Sequence, residues 1–321
     1  ALPISRSCIV PNYNFKMITA VDVAVMRCNS NIINNKFLNY LCNTPYFTNS
    51  ASNMARGTTR VRITRKNLGN ILIPLPPLVE QLRIVKCIDT LFDKLDEAKE
   101  KAQEVIDGFE SRKAAILHKA FSGELTAKWR LDHGVETTSW KTTVLQDVCE
   151  KIVCGKTPTE HITKQGDIPF LKVYNIVNNQ IDFDTTPQFI PKSIHCGKLK
   201  SSILKPNDVI MNIVGPPLRK IAIIPDTYPE WNMNQAIVRF RPLEILDYRF
   251  LYYALINPET LDDVIAATKG VVGQANISVS QSRALTINLP SLNEQIEIVN
   301  ILDDILEKEM YVKDTAEAVI E

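Results

Sequence analysis

A thirteen-residue segment recurs in this chain with eight positions unchanged. Ile73 to Val85 reads IPLPPLVEQLRIV and Ile287 to Val299 reads INLPSLNEQIEIV, with eight identities at an offset of 214. Self-similarity of this kind constrains the fold more than any local motif. Upstream the register continues at 213 or 214. It matches Val10-Pro11 with Ile224-Pro225, Phe37-Leu38 with Phe250-Leu251, Tyr40 with Tyr253, Pro45 with Pro258 and Gly57 with Gly270. Each copy is therefore a mixed domain, a proline-marked exit and a helix. Copy two begins near Trp140, whereas Ala1 already corresponds to Gly215, so the first copy reads as lacking its start.

Pro76-Pro77 suits a helix start, and no proline or glycine follows until Gly108. Alternating spacings of three and four give Val85, Ile88, Phe92, Leu95, Lys99, Ala102, Ile106, Phe109, Lys113, Ile116 and Ala120, nine of eleven apolar. The same template moved by 214 finds Val299, Leu302, Leu306, Glu309, Lys313, Ala316 and Ile320, five of seven apolar. Both helices thus carry a coiled-coil-like seam, and the two seams are expected to pack antiparallel. At about 1.5 Å per residue the first would run about 65 Å, a spacer rather than an ordinary core helix.

Between Trp140 and Pro290, β-rich runs (Ile168 to Val173, Val209 to Val214, Lys220 to Ile224, Ala236 to Phe240) alternate with Pro, Gly, Asn and Asp turns. A helical stretch from Asp247 to Thr268, split at Pro258, and a strand at Ala284 to Leu289 complete an α+β domain. The net charge of +1 conceals a polar layout: residues 1–76 carry nine Lys or Arg against the single acid Asp22, and residues 291–321 carry two against nine acids. The first segment suits a polyanion.

Apolar content of 45% with 23% charged residues is globular. No apolar run reaches the 18 or so residues of a membrane span, and no signal-peptide pattern opens the chain, so a cytoplasmic protein is expected. Seven scattered cysteines without a C-x-x-C pair read as reduced thiols, and Cys149, Cys154, His195 and Cys196 have the wrong spacing for zinc. Gly155-Lys156-Thr157 lacks the upstream glycine of a phosphate-binding loop, because residue 150 is Glu. Asn257-Pro258-Glu259 lacks the Pro-aromatic pair of an amino-methyltransferase, and His118, His133, His161 and His195 read as surface or capping residues. No catalytic constellation and no cofactor emerge.

Polar loops remain. Lys156, Thr157, Lys172, Tyr174, Asn175, Asn234, Lys269, Gln274 and Asn276 sit in turn-rich segments whose side chains can donate to and accept from base edges. Lys198, Lys200, Arg219 and Lys220, with Arg60 and Arg62 of the basic first segment, are the phosphate candidates. Ile84, Leu91, Phe121, Leu125 and Ile298 fall outside the seam and are candidates for an exposed partner-docking surface.

At the repeated Leu-Pro-x-Leu-x-Glu-Gln exits (Leu75 to Gln81, Leu289 to Gln295), the Gly155-Lys156-Thr157-Pro158 loop and the Ala120-Phe121-Ser122-Gly123-Glu124-Leu125 helix end, the chain resembles the specificity subunit of type I restriction-modification enzymes. The resemblance implies two target-recognition domains reading a bipartite DNA site, held apart by antiparallel helices. Those helices would dock methyltransferase subunits, with restriction subunits joining them and a homodimer through the helices also open. It implies that this subunit performs no catalysis. The segments would be 1–76, the end of a first recognition domain; 77–126, a spacer helix; 127–139, a linker; 140–290, the second recognition domain; and 291–321, a shortened second spacer helix. The alternatives are a free-standing DNA methyltransferase or nuclease and a purely structural coiled-coil adaptor.

Overall fold

The computed structural model describes residues 6–19, 22–58, 61–136, 139–158, 162–268 and 276–321. The chain divides into two units, Ala1–Ala102 and Gln103–Glu321.

In the first unit three short helices precede a long one. Each short helix is started by a side chain that accepts a backbone N–H. Asn34 caps α1 (Asn35–Cys42), Thr44 caps α2 (Pro45–Met54) with Pro45 in the first turn, and Thr64 caps α3 (Arg65–Gly69). Cys42, Phe47, Ala51 and Ile71 form a small core. Helix α4 (Leu78–Phe121) then begins, and its residues from Gln103 onward belong to the second unit.

The second unit continues with α5 (Ala127–His133), β1 (Lys141–Val144), α6 (Leu145–Val148), β2 (Val153–Cys154), β3 (Ile168–Leu171), β4 (Ile176–Val177) and β5 (Gln180–Ile181). Next come β6 (Phe189–Ile190), α7 (Lys192–Cys196), β7 (Ile203–Leu204), β8 (Val209–Asn212), β9 (Ile221–Ile223), β10 (Trp231–Met233) and β11 (Ile237–Phe240). It closes with α8 (Tyr248–Ile256), α9 (Pro258–Thr268), α10 (Val279–Ala284), β12 (Thr286–Leu289) and α11 (Leu292–Ile320). One sheet has the order β6-β3-β10-β7, with β3 and β10 parallel; a second has the order β2-β11-β8-β9 and is antiparallel throughout.

Strand β8 shows why both faces of the second sheet are dry. Its side chains alternate, Val209 and Met211 joining α8, α11 and the end of α4 in the main core, Ile210 joining Leu171, Trp231 and Met233 of the other sheet. The segment expected to be a linker contains a helix, α5, because Arg130 is anchored inside the unit: its guanidinium binds Glu294, Thr126 and the Gly123 carbonyl. His195 is buried, not a surface or capping residue, and lies between Glu230 and Asn232. His161 lies outside the described residues.

The sequence repeat is a repeat of hydrogen bonds. In the first unit the Gln81 amide nitrogen donates to the Ile32 and Pro76 carbonyls (2.9 and 2.8 Å), and its oxygen accepts the Asn34 N–H at 2.8 Å. In the second, Gln295 donates to Ile245 and Pro290 (both 3.0 Å) and accepts from the Asp247 N–H at 2.8 Å. Tyr40 and Lys36 both bind Asp89; Tyr253 and Arg249 both bind Asp303. Lys36 and Tyr40 hold the Asp89 carboxyl below the usual carboxylate range. Thus each long helix is tied at its start to the helix that opens at Asn35 or Tyr248. Gln295 and Gln81 are fully buried. Gln295→Ala is expected to cost about 1–3 kcal/mol, because an N–H and two carbonyls lose a partner away from water; urea unfolding measures it.

Within the second unit the seams run antiparallel, as the periodicity predicts: Phe109 lies beneath the Lys313 ammonium, Arg112 pairs with Glu309 at 2.8 Å, and Leu117 and Ala120 share a core with Val299 and Leu302. In the first unit the seam is less buried than expected. Phe92 and Leu95 are 51% and 47% exposed. The small core is built by residues that precede α4, and Phe92 meets the Tyr40 ring of α1 with centroids 6.0 Å apart. Phe121 and Ile298, expected on an exposed docking face, are buried, and Leu125 packs against the same core; Phe121 stacks at a tilt on Phe250 with centroids 5.3 Å apart. Ile84 is half-buried and Leu91 is exposed.

Candidate nucleic-acid interface

The second unit gathers five loops through backbone hydrogen bonds. The Gly155 N–H donates to the Ile237 carbonyl and the Lys156 N–H to that of Met233 (3.0 and 3.2 Å). The Asn234 N–H reaches the Leu171 carbonyl, one residue before Lys172, at 3.0 Å. Ile213 donates to Ala236, Ile277 donates to Ile213, and Val214 bridges Asn276. The loop starts at residues 155, 172, 213, 234 and 276 are therefore neighbours, although scattered over more than a hundred positions of sequence.

Gly155 makes the approach possible. A Cβ there would stand 2.2 Å from the carbonyl oxygens of both Met233 and Asn234. With glycine, the 155–158 loop lies directly on the 232–236 loop, and the Thr157 hydroxyl hydrogen-bonds the Gln235 side-chain oxygen. Lys156, Thr157, Tyr174, Gln235 and Asn276 are all exposed, and Asn234 and Lys172 are half-buried. The cluster offers two cations, exposed Lys156 and half-buried Lys172, one aromatic ring and several groups able to donate or accept.

Other expected contacts are committed elsewhere. Asn175 is fully buried: its oxygen accepts the Lys172 N–H, and its nitrogen reaches the Asp182 and Thr186 carbonyls, so it shapes the 172–175 turn and has nothing left for a base. Asn232 is likewise spent on His195 and the Leu199 carbonyl. Arg219, in a left-handed conformation (φ 72°), is paired with Asp262, and Arg62 with Asp22. The Lys220 ammonium rests on the Val173 carbonyl at 3.5 Å. Lys198 and Lys200 are exposed and flank Leu199, which Asn232 ties to β10. Arg60, Lys269 and Gln274 lie outside the described residues.

Two supports escaped the sequence reading. Asn212, fully buried, staples the 213–220 loop shut, donating to the Val214 and Pro217 carbonyls and accepting the Lys220 N–H. Arg241 forms a two-pronged pair with buried Asp208, both bonds 2.7 Å, which raises the arginine's pKa further. Burial beside Asp208 also pushes the Cys149 thiol up to about 12, leaving it inert as a nucleophile. No helix among the described residues is long and apolar enough to cross a membrane.

Residues 5–106 and 138–321 match the profile of the type I restriction modification DNA specificity domain. The EcoBI specificity subunit of Escherichia coli is 26% identical over 270 residues, covering 80% of this chain and 56% of that protein. The StySPI specificity subunit of Salmonella potsdam is 35% identical over 112 residues, 34% of this chain and 24% of its own. This chain spans little more than half the length of the longest-matching relatives. In fold it is similar to the HsdS subunit from Thermoanaerobacter tengcongensis, with a TM-score of 0.63 at 22% identity over 92% of this chain and 71% of that one. With two matched segments that together cover most of its length and a repeat that recurs as hydrogen bonds, the chain belongs to the type I restriction modification DNA specificity domain family.

Proposed function

We propose that this chain is a DNA-recognition subunit that reads one half-site with the loops around Gly155 and delegates methylation and cleavage to partner chains. The carrying observation is the convergence of Lys156, Thr157, Tyr174, Gln235 and Asn276 on one exposed loop cluster. The relatives' names, all specificity subunits of restriction enzymes, support the division of labour. Residues 1–76 then represent the end of a first recognition domain and 140–290 a second, with 77–126 and 291–321 as spacers and 127–139 between them. Methyltransferase and restriction subunits are the partners, and self-association through the spacer helices is a further partner mode. A reducing cytoplasm suits seven free thiols.

Each kind of contact has its own signature. In the chain assembled with its modification subunit, Gln235→Ala or Asn276→Ala should relax preference at one base pair by about 1–3 kcal/mol. Lys200→Ala should weaken binding to all sequences alike and lower the salt slope by about 1, each phosphate contact contributing about −0.9 in log affinity against log salt. Fluorescence anisotropy on cognate and scrambled duplexes from roughly 50 to 200 mM salt reads both. Equal losses on both duplexes for Gln235→Ala and Asn276→Ala would sink direct reading by these loops.

A further inference from the structure

Four of the five gathered loops carry polar side chains; the fifth, 213–220, carries carbon at its tip. There Gly215 has φ 95°, and Pro216 and Pro217 are both exposed. A Cβ on Gly215 would meet nothing within 4 Å, so the tip borders open space. It begins inside the cluster. The Ile213 N–H donates at 2.9 Å to the carbonyl of Ala236, which follows Gln235, and Val214 bridges the exposed Asn276.

The loop is held firmly and shows little that is polar. Buried Asn212 donates to the Val214 and Pro217 carbonyls (3.4 and 2.9 Å) and accepts the Lys220 N–H at 2.9 Å, while its own N–H donates to the Lys220 carbonyl at 3.0 Å. Leu218 packs against the main core, and Arg219 is paired with Asp262. Proline has a fixed φ and no N–H. The two prolines therefore offer DNA no donor, and the Pro217 carbonyl is already taken. What they present is ring carbon. Phosphates and polar base edges gain nothing from such a surface. The apolar group that a base pair displays in the major groove is the C5-methyl of thymine.

We propose that Pro216 and Pro217 determine specificity by packing on a thymine methyl. The inference rests on the reading of DNA by these loops proposed above and adds a second chemistry to it, carbon against carbon beside the hydrogen bonds of Gln235 and Asn276. Cytosine in place of that thymine would lose the methyl contact and bring its exocyclic amino group against a surface that cannot accept from it, at the cost of a lost water. Because Asn212, Leu218 and Arg219 already fix the loop in the free chain, the contact requires no ordering on binding.

The test uses the full chain assembled with its modification subunit and the duplex that this complex selects from a random-sequence pool. Each thymine is replaced in turn by deoxyuridine, which removes the methyl and leaves every hydrogen-bonding group in place. At one thymine the parent should lose roughly threefold to fivefold in affinity, the worth of about one buried carbon. Pro216→Ser or Pro217→Ser should then bind the thymine and uracil duplexes alike. The uracil scan needs no variant, so a substituted chain that fails to fold does not shield the proposal. Three results would overturn it: uracil tolerated at every thymine, a uracil penalty that persists unchanged in both proline variants, or 2-aminopurine beside the sensitive thymine that brightens with the parent and not with Pro216→Ser. The last would make the tip a wedge that unstacks bases. A pool that yields no preferred duplex would instead overturn DNA reading by these loops as a whole, a failure distinct from a selected duplex that tolerates uracil throughout.

Discussion

Arg130→Ala should destabilise the second unit by about 3–5 kcal/mol, the cost of leaving a buried charge without its partner. The guanidinium is 5% exposed and Glu294 not at all; removing it strips the carboxylate of its cation and the Gly123 carbonyl of its donor. For a unit of this size that is roughly 6–20 °C in melting temperature. Glu294→Ala should cost a similar amount, because the Thr126 hydroxyl and Trp140 indole lose their acceptor as well. Combining Arg130→Met with Glu294→Leu should recover part of the loss, since no lone charge remains, but not all of it, since those two donors stay unpaired. Calorimetry on the single and double variants measures both. Singles within about 1 kcal/mol of the parent would mean that water reaches the pair.

Gly155→Ala should spare the core and damage recognition. The added methyl meets two backbone carbonyls, which cannot rotate aside as a side chain could, so the 155–158 and 232–236 loops must part. Overpacking of this kind costs about 1–3 kcal/mol. Because the displaced atoms carry Lys156, Thr157 and Gln235, the loss should fall on cognate DNA, roughly tenfold to a hundredfold in affinity, with non-specific binding nearly unchanged. Gly69→Ala is the control, as a methyl there meets nothing within 4 Å. Equal affinity of Gly155→Ala and the parent for a cognate duplex would remove this loop from the interface.

The long elements were legible from the chain alone. Sustained periodicity located α4 and α11, and Pro258 separates α8 from α9 as expected. Two-residue strands such as β2, β4 and β6 carry too few residues for any period to register, and β10 is only three residues long. The candidate loops were found by composition, which cannot tell an asparagine that faces solvent from one that holds a turn. Asn276 and Asn175 look alike in sequence, and only packing separates the exposed one from the buried one. The linker helix escaped because its reason to exist, the Arg130 contact with Glu294, spans 164 positions. Gln81 and Gln295 lay in plain view inside the repeated motif. What they do there needed coordinates.

The amide joint at the start of each long helix separates aiming from reading. Its members in the second unit, Ile245, Asp247, Arg249, Tyr253, Pro290, Gln295 and Asp303, all follow the stretch from Gly155 to Ala236 that supplies four of the five loops of the proposed interface. A crossover between relatives anywhere between Ala236 and Ile245 would exchange those four loops while inheriting the joint intact. A new half-site preference could then arise by one recombination event without re-evolving the angle at which the domain is held.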